Sequence, residues 1–318
     1  MKVIQQTQEN PIANVYVAET KDGKRFEFVE STQPPLTIRE KWVIVISTLH
    51  GCPVDCKFCD AGGSYNGKLS FEELSFQVDY VTRKRFPGGD IDTDKFKIQF
   101  SRMGEPSFNK NVIEFLLKIP ERYKYKNFIP SLSTIAPVGA DAFFEKLLEV
   151  RKNLYDHNFQ LQFSLHSTDE QQRDDLIPVR KWSFNQIADY GERFYTRGGR
   201  KITLNFAIGK KHIIEPGKLL EYFDPQKFLI KITPVNPTCK AKKNKIDSLI
   251  RPGIYNYGII ENLRMTGYEV ILSIGEWEEN RIGSNCGQYI NNVKDLSTVD
   301  SYSYQIEDVD GGGERRES

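Results

Sequence analysis

A chain of 318 residues is long enough for one large α/β domain with short extensions. Lys+Arg 44 against Asp+Glu 43 leaves a net charge of +1, which excludes the global basic field that drives nonspecific nucleic-acid binding. The first ten residues lack the apolar core of a signal peptide, no apolar run approaches the roughly 20 residues that span a bilayer, and three of the five cysteines are clustered, so a reducing, cytoplasmic setting without a membrane is expected.

In chain order, residues 1–40 are polar with short alternating stretches and a Pro34-Pro35 break, which predicts a small N-terminal β extension. Strand-like apolar runs then recur at 42–46, 96–100, 129–134, 160–165, 201–208 and 228–233. A helix is expected after Ser70, because Ser70 and Glu73 form a capping-box pattern and Phe71, Leu74, Val78 and Val81 follow at helical spacing. Further helical patterns lie at 109–118, 140–154, 183–196 and 253–265, with Ser183 and Gln186 repeating the capping box. Strands alternating with helices predict parallel βα units with right-handed crossovers, hence an α/β fold in the form of a partial (β/α)6 barrel. The expected division is a β extension over 1–40, the barrel over 41–237, a closing segment over 238–300 and a flexible tail over 301–318.

The run G-C-P-V-D-C-K-F-C-D follows the first strand and places Cys52, Cys56 and Cys59 within eight residues. Three thiolates can hold a 4Fe-4S cluster while leaving one iron open for another ligand. Structural zinc, with Asp60, His50 or Cys286 as a fourth ligand in an RNA-binding module, is the alternative. Beyond this loop, polar or small residues arrive at strand ends in turn: Gly104-Glu105-Pro106, Ser133-Thr134, Ser164-Leu165-His166 and Pro234-Val235-Asn236-Pro237. Active sites of βα barrels collect at that face.

The C-x3-C-x2-C spacing, with Phe58 before the last cysteine, resembles the radical S-adenosylmethionine (SAM) superfamily. The runs M-G-E-P (103–106), L-S-T-I-A-P-V (132–138), S-L-H-S-T-D-E-Q-Q-R-D-D-L-I-P-V (164–179), P-V-N-P (234–237) and N-C-G-Q (285–288) resemble the class A radical SAM methyltransferases, the rRNA adenine methyltransferases and their antibiotic-resistance relatives. That resemblance implies a 4Fe-4S cluster on Cys52, Cys56 and Cys59, and SAM contacts at Gly104, Glu105, Ser133, Ser164, His166 and Asn236. It also implies that Cys286 carries a methyl group from one SAM, which a radical made from a second SAM activates for addition to an aromatic carbon.

Two departures stand out. The position seven residues before Cys52, where the resembled family carries the cysteine that resolves the crosslink, is Val45, so Cys239 is the spare thiol. About 40 residues precede the first barrel strand, too few for the helical RNA-binding domain of the rRNA enzymes. Glu27 is the candidate proton acceptor, with Glu30 as its alternative. These features lead to an expected substrate that is a nucleotide-like or heteroaromatic small molecule rather than assembled rRNA, with flavodoxin or ferredoxin as electron donor. An enzyme that uses the deoxyadenosyl radical directly, without methyl transfer, is the second reading.

Overall fold

Residues of Trp42–Ile46 and Phe96–Phe100 alternate between buried and half-buried along each strand, the period-2 pattern of strands with two unlike faces. Trp42, Ile44, Ile46, Phe96, Ile98 and Phe100 pack into the main apolar core with the buried faces of the surrounding helices. The opposite face is polar: Gln162 donates to the hydroxyls of Ser131 (3.3 Å) and Ser133 (3.1 Å), and Lys97 donates to Gln160 (3.0 Å). One face thus supplies burial energy and the other lines the interior of the barrel.

The computed structural model describes residues 1–292 except Gln8, Gln33, Pro252, Tyr255, Glu276, Cys286 and Gly287. Its strands are β1 (Lys2–Gln6), β2 (Ala13–Glu19), β3 (Arg25–Ser31), β4 (Trp42–Ile46), β5 (Phe96–Phe100), β6 (Phe128–Thr134), β7 (Gln160–Ser164), β8 (Ile202–Ile208), β9 (Phe228–Pro234) and β10 (Val270–Leu272). Among the described residues these ten form one sheet in sequential order, and the two-residue strands Asp90–Ile91 and Lys124–Tyr125 pair in parallel apart from it. From β4 onward every pairing is parallel, as the alternating pattern predicts. No closed barrel is formed among the described residues, since β1 and β10 end the sheet.

Two boundaries differ from the expectation. The N-terminal strands β1 to β3 form an antiparallel meander that pairs with β4 through Val29↔Val45, so the extension continues the barrel sheet. The three-residue strand β10, in the expected closing segment, adds a seventh parallel strand beside β9. Three residues are too short a run to show a period.

The helices are α1 (Phe71–Arg85), α2 (Asn111–Arg122), α3 (Asp141–Val150), α4 (Glu170–Leu176), α5 (Phe184–Phe194), α6 (Pro216–Leu220), α7 (Cys239–Lys243), α8 (Gly258–Met265), α9 (Trp277–Ile282) and α10 (Tyr289–Asn292). Both expected capping boxes form, at Ser70 with Glu73 and at Ser183 with Gln186. Replacing Ser70 by Ala is expected to lower stability by about 1 kcal/mol, read as a lower urea midpoint at unchanged slope. The short α4 and α7 escape periodicity, because one or two turns carry too few apolar positions. No helix of the described residues is long and apolar enough to cross a membrane. The tail over 301–318 lies outside the described residues.

Candidate active site at the strand ends

The cysteine loop leaves the end of β4 and folds back on itself: Cys59 N–H donates to the Cys56 carbonyl (3.1 Å) and Gly62 N–H to the Cys59 carbonyl (3.2 Å). Cys52, Cys56 and Phe58 pack on Val54, Ile135, Leu176 and Ile177, which come from the loop itself, the end of β6 and the end of α4. The long S-L-H-S-T-D motif acts here. Asp169 caps α4 by accepting from Gln172 N–H (2.7 Å), and the Leu176 carbonyl accepts from Lys57 N–H (3.0 Å). The motif builds the floor of the cysteine loop.

The three thiols feel one another, since Cys59 and Cys52 both raise the Cys56 thiol after burial, the larger cause. Burial pushes Cys52 up to about 11, with nearby backbone N–H groups opposing the rise. Thiols held neutral by burial become ligands when a metal centre supplies the charge that displaces their protons. Backbone N–H groups aimed at a sulfur favour its charged form.

Two of the other protein donors considered for this site are engaged elsewhere. His50 faces Glu73 (3.4 Å) and the Arg25 carbonyl (3.2 Å). Asp60 accepts from the N–H groups of Cys239 (3.2 Å) and Lys240 (2.9 Å). Among the described residues no three His, Cys, Asp or Glu side chains gather as a single-ion site. One tetrahedral ion requires ligands within roughly 2.3 Å of one point, whereas a four-iron cluster takes thiolates distributed over separate irons.

The strand-end residues lie on the same side of the sheet as this loop, each at or just beyond the C-terminal end of its parallel strand. Glu105 is fully buried and accepts from Ser107 N–H (3.1 Å), the Ser107 hydroxyl (2.8 Å) and the Thr134 hydroxyl (2.5 Å) at Oε1, and from Ile135 N–H (2.9 Å) at Oε2. Burial raises its carboxyl above the ordinary carboxylate range while these donors oppose the rise. With about four acceptor sites on a carboxylate, Oε2 retains capacity for one more donor. Thr134, named in the sequence only as a strand-end residue beside Ser133, bonds Glu105 directly.

Ser133 accepts from Gln162, and Ser164 stands opposite Asn205 in the β7–β8 register. His166 has a left-handed backbone (φ 64°), its Nδ1 accepts from Ala207 N–H (3.0 Å), and its ring meets Phe58 edge-on at 4.8 Å. Burial pulls its pKa down to about 3, so the ring is neutral and Nε2 carries the remaining proton. His166 is therefore a hydrogen-bond donor beside the cluster loop, not an acid or base near neutral pH.

Asn236 begins a strap over the same loop. The Asn236 carbonyl accepts from Thr238 N–H (2.7 Å), the Thr238 hydroxyl donates to the Phe58 carbonyl (2.8 Å), Lys240 pairs with Asp55, and Asn244 donates to the Lys57 carbonyl (2.6 Å). Cys239 is exposed on this strap, and burial and Asp60 both raise its thiol. A raised pKa is the opposite of what activates a thiol nucleophile.

The carboxylate expected to accept a proton is committed. Glu27, on β3, is fully buried, takes two bonds from Arg102 (3.2 and 2.6 Å) and accepts from Ile290 N–H (2.7 Å). Glu30, its alternative, bonds Arg85, Trp42 and Tyr16. Both act as anchors in this structure. Cys286 lies outside the described residues, but residues on either side of it are bound by the Arg102–Glu27 pair. Val45 packs with Val15, Val17, Val29 and Tyr289, alongside Ile282 and Ile290. An apolar cluster thus occupies the position of the missing thiol.

The chain places a three-cysteine loop after the first parallel strand of an α/β sheet, and the comparisons find proteins similar to it among radical SAM methyltransferases. A solved radical SAM methyltransferase from Sphaerobacter thermophilus shares the fold, with TM-score 0.65 and 20% identity over 90% of this chain and 80% of that one. No protein-family model matches the chain. Among curated proteins, the chain is similar to a probable dual-specificity RNA methyltransferase RlmN of Pseudothermotoga lettingae (29% identity; 70% of this chain, 62% of the relative). It is also similar to the one of Petrotoga mobilis (27%; 75% and 68%) and to dual-specificity RNA methyltransferase RlmN 2 of Myxococcus xanthus (28%; 61% and 50%). The resemblance to class A radical SAM methyltransferases is borne out. The matched segment spans about three fifths of the Pseudothermotoga relative. These relatives are named as RNA methyltransferases, and a small-molecule substrate finds no support among them.

Proposed function

We propose that the chain is a radical SAM methyltransferase that passes a methyl group through Cys286 to an sp2 carbon of a nucleobase, with RNA, as in the relatives' names, carrying that base. The observation that carries the reading is the three-thiol loop whose neighbouring donors, His50 and Asp60, are turned to other partners. Cys52, Cys56 and Cys59 would hold a 4Fe-4S cluster, and the open iron would take SAM. When bound, that pair supplies radical chemistry, which suits an aromatic carbon that polar methyl transfer attacks poorly. The reductant belongs to the flavodoxin or ferredoxin class of low-potential one-electron donors.

The chain's own residues bind and orient. Gly104, with φ 97°, lets the backbone come close to a ligand, and Glu105 has an acceptor left at Oε2 for an ammonium group. Ser133, Ser164 and Asn236 supply hydroxyl and amide groups around the strand ends, and His166 supplies a neutral N–H. Phe58 and the apolar floor below it exclude water from the loop.

The test is anaerobic incubation with methyl-labelled SAM, with total RNA in one arm and free nucleotides in the other, followed by peptide and nucleoside mass analysis. Label on the Cys286 peptide and on an RNA base is expected. Cys286→Ala should keep deoxyadenosine formation and lower methylated product by roughly 10³-fold or more, as removal of a covalent carrier does. A Cys286 peptide without label would remove the methyl-transfer reading. The apolar packing of Val45 favours one second reading, direct use of the deoxyadenosyl radical, which predicts deoxyadenosine without S-adenosylhomocysteine.

A further inference from the structure

The Arg102 guanidinium is fully buried and all five of its N–H donors are used. Nε and Nη2 bond Glu27 (3.2 and 2.6 Å), Nη2 also bonds the Gly283 carbonyl (2.9 Å), and Nη1 bonds the carbonyls of Ser284 (3.1 Å) and Asn285 (2.9 Å). Three consecutive carbonyls immediately before Cys286 thus converge on one cation. Beyond Cys286, Glu27 Oε1 accepts from Ile290 N–H (2.7 Å). The pair is itself fixed at both ends: the Glu27 carbonyl accepts from the Ser47 hydroxyl, and Arg102 N–H donates to the Ile46 carbonyl (3.0 Å). Arg102 leads directly into Met103-Gly104-Glu105, where the Met103 carbonyl accepts from Thr48 N–H (2.8 Å) and Leu49 N–H (3.2 Å) at the start of the cysteine loop.

We propose that Arg102 and Glu27 are positioning residues that fix the segment bearing Cys286 relative to the cysteine loop, through one buried ion pair that binds the chain on both sides of the carrier. The inference rests on the reading of Cys286 as methyl carrier for its catalytic meaning, and on the hydrogen bonds alone for its structural meaning. A fork of five donors suits the task because two N–H groups converge on Glu27 Oε2 while the remaining three turn to three carbonyls. A lysine keeps the charge but offers donors from one nitrogen only. Its head group cannot serve Glu27 and three carbonyls in that geometry.

The experiment uses the full chain, purified anaerobically, as wild type, Arg102→Lys and Glu27→Gln, with the double variant Glu27→Leu/Arg102→Met as a form that leaves no unpaired buried charge. Hydrogen exchange of the peptide covering 282–291 is compared with that of a peptide from β8. Exchange at 282–291 is expected to rise at least tenfold in Arg102→Lys and in the double variant, with β8 unchanged. In the same proteins, deoxyadenosine released per methylated product should rise about tenfold. Unchanged exchange at 282–291 in folded Arg102→Lys and double variant overturns the proposal, as does a rise in exchange with unaltered coupling. Label missing from wild-type Cys286 would sink the methyl-carrier reading separately, with the exchange result still reporting on the clamp.

Discussion

Cys56→Ala is expected to abolish SAM cleavage, with deoxyadenosine falling by more than the roughly 100-fold that changes outside the ligand sphere cost a metal site. Burial raises the Cys56 thiol, and Cys59 and Cys52 raise it further. A cluster with one open iron needs all three thiolates, and the nearby donors cannot take over, since His50 is held by Glu73 and Asp60 caps α7. Iron and sulfide content, measured with cleavage after anaerobic reconstitution, should fall together. Retained cleavage in a protein with reduced iron would discard the cluster assignment. A reconstituted protein holding one equivalent of zinc and no sulfide would restore the structural-zinc alternative.

Gly104→Ala is the second large effect. The Gly104 backbone sits at φ 97°, which side chains other than glycine rarely adopt, and an added Cβ would lie 2.5 Å from the Leu49 side chain and 2.8 Å from its backbone nitrogen. Leu49 cannot withdraw, because its N–H is bonded to the Met103 carbonyl (3.2 Å) and its side chain is fully buried. The strain adds about 1–3 kcal/mol for overpacking to the cost of the left-handed backbone. Relief would require Gly104-Glu105 to move away from Leu49, carrying with it the carboxylate that holds Thr134 and Ile135. The expected result is a lower melting temperature and a loss of SAM affinity of at least tenfold, by equilibrium binding to the reconstituted protein. Unchanged affinity would show that Gly104 does not set the ligand approach.

The parallel strands β4 to β9 were legible because each is a five- to seven-residue stretch rich in apolar residues and flanked by helical periodicity, and both long capped helices declared their starts at Ser70 and Ser183. The cysteine triplet and the strand-end residues were legible because their chemistry is local: spacing places three thiols in one loop, and βα order sends Gly104, Ser133, Ser164 and Asn236 to one face. The short strand β10 and helices α4 and α7 were not, since their stability comes from neighbours rather than from a repeating pattern in their own residues.

The sequence by itself determined the class of fold, the three-thiol loop and the face on which a ligand would be bound. Tertiary structure decided what the charged residues do. Glu27 reads as an open carboxylate beside a polar strand, and only folding places it against Arg102, which lies 75 residues away, and against Ile290. His166 reads as a hydrogen-bonding residue at a strand end, and only folding sets its ring against Phe58 with Nδ1 on the Ala207 N–H. Local pattern encodes hydrophobic burial, because burial repeats along an element. Pairing of buried polar groups depends on which distant segments meet, and that is set by the packing of the whole sheet.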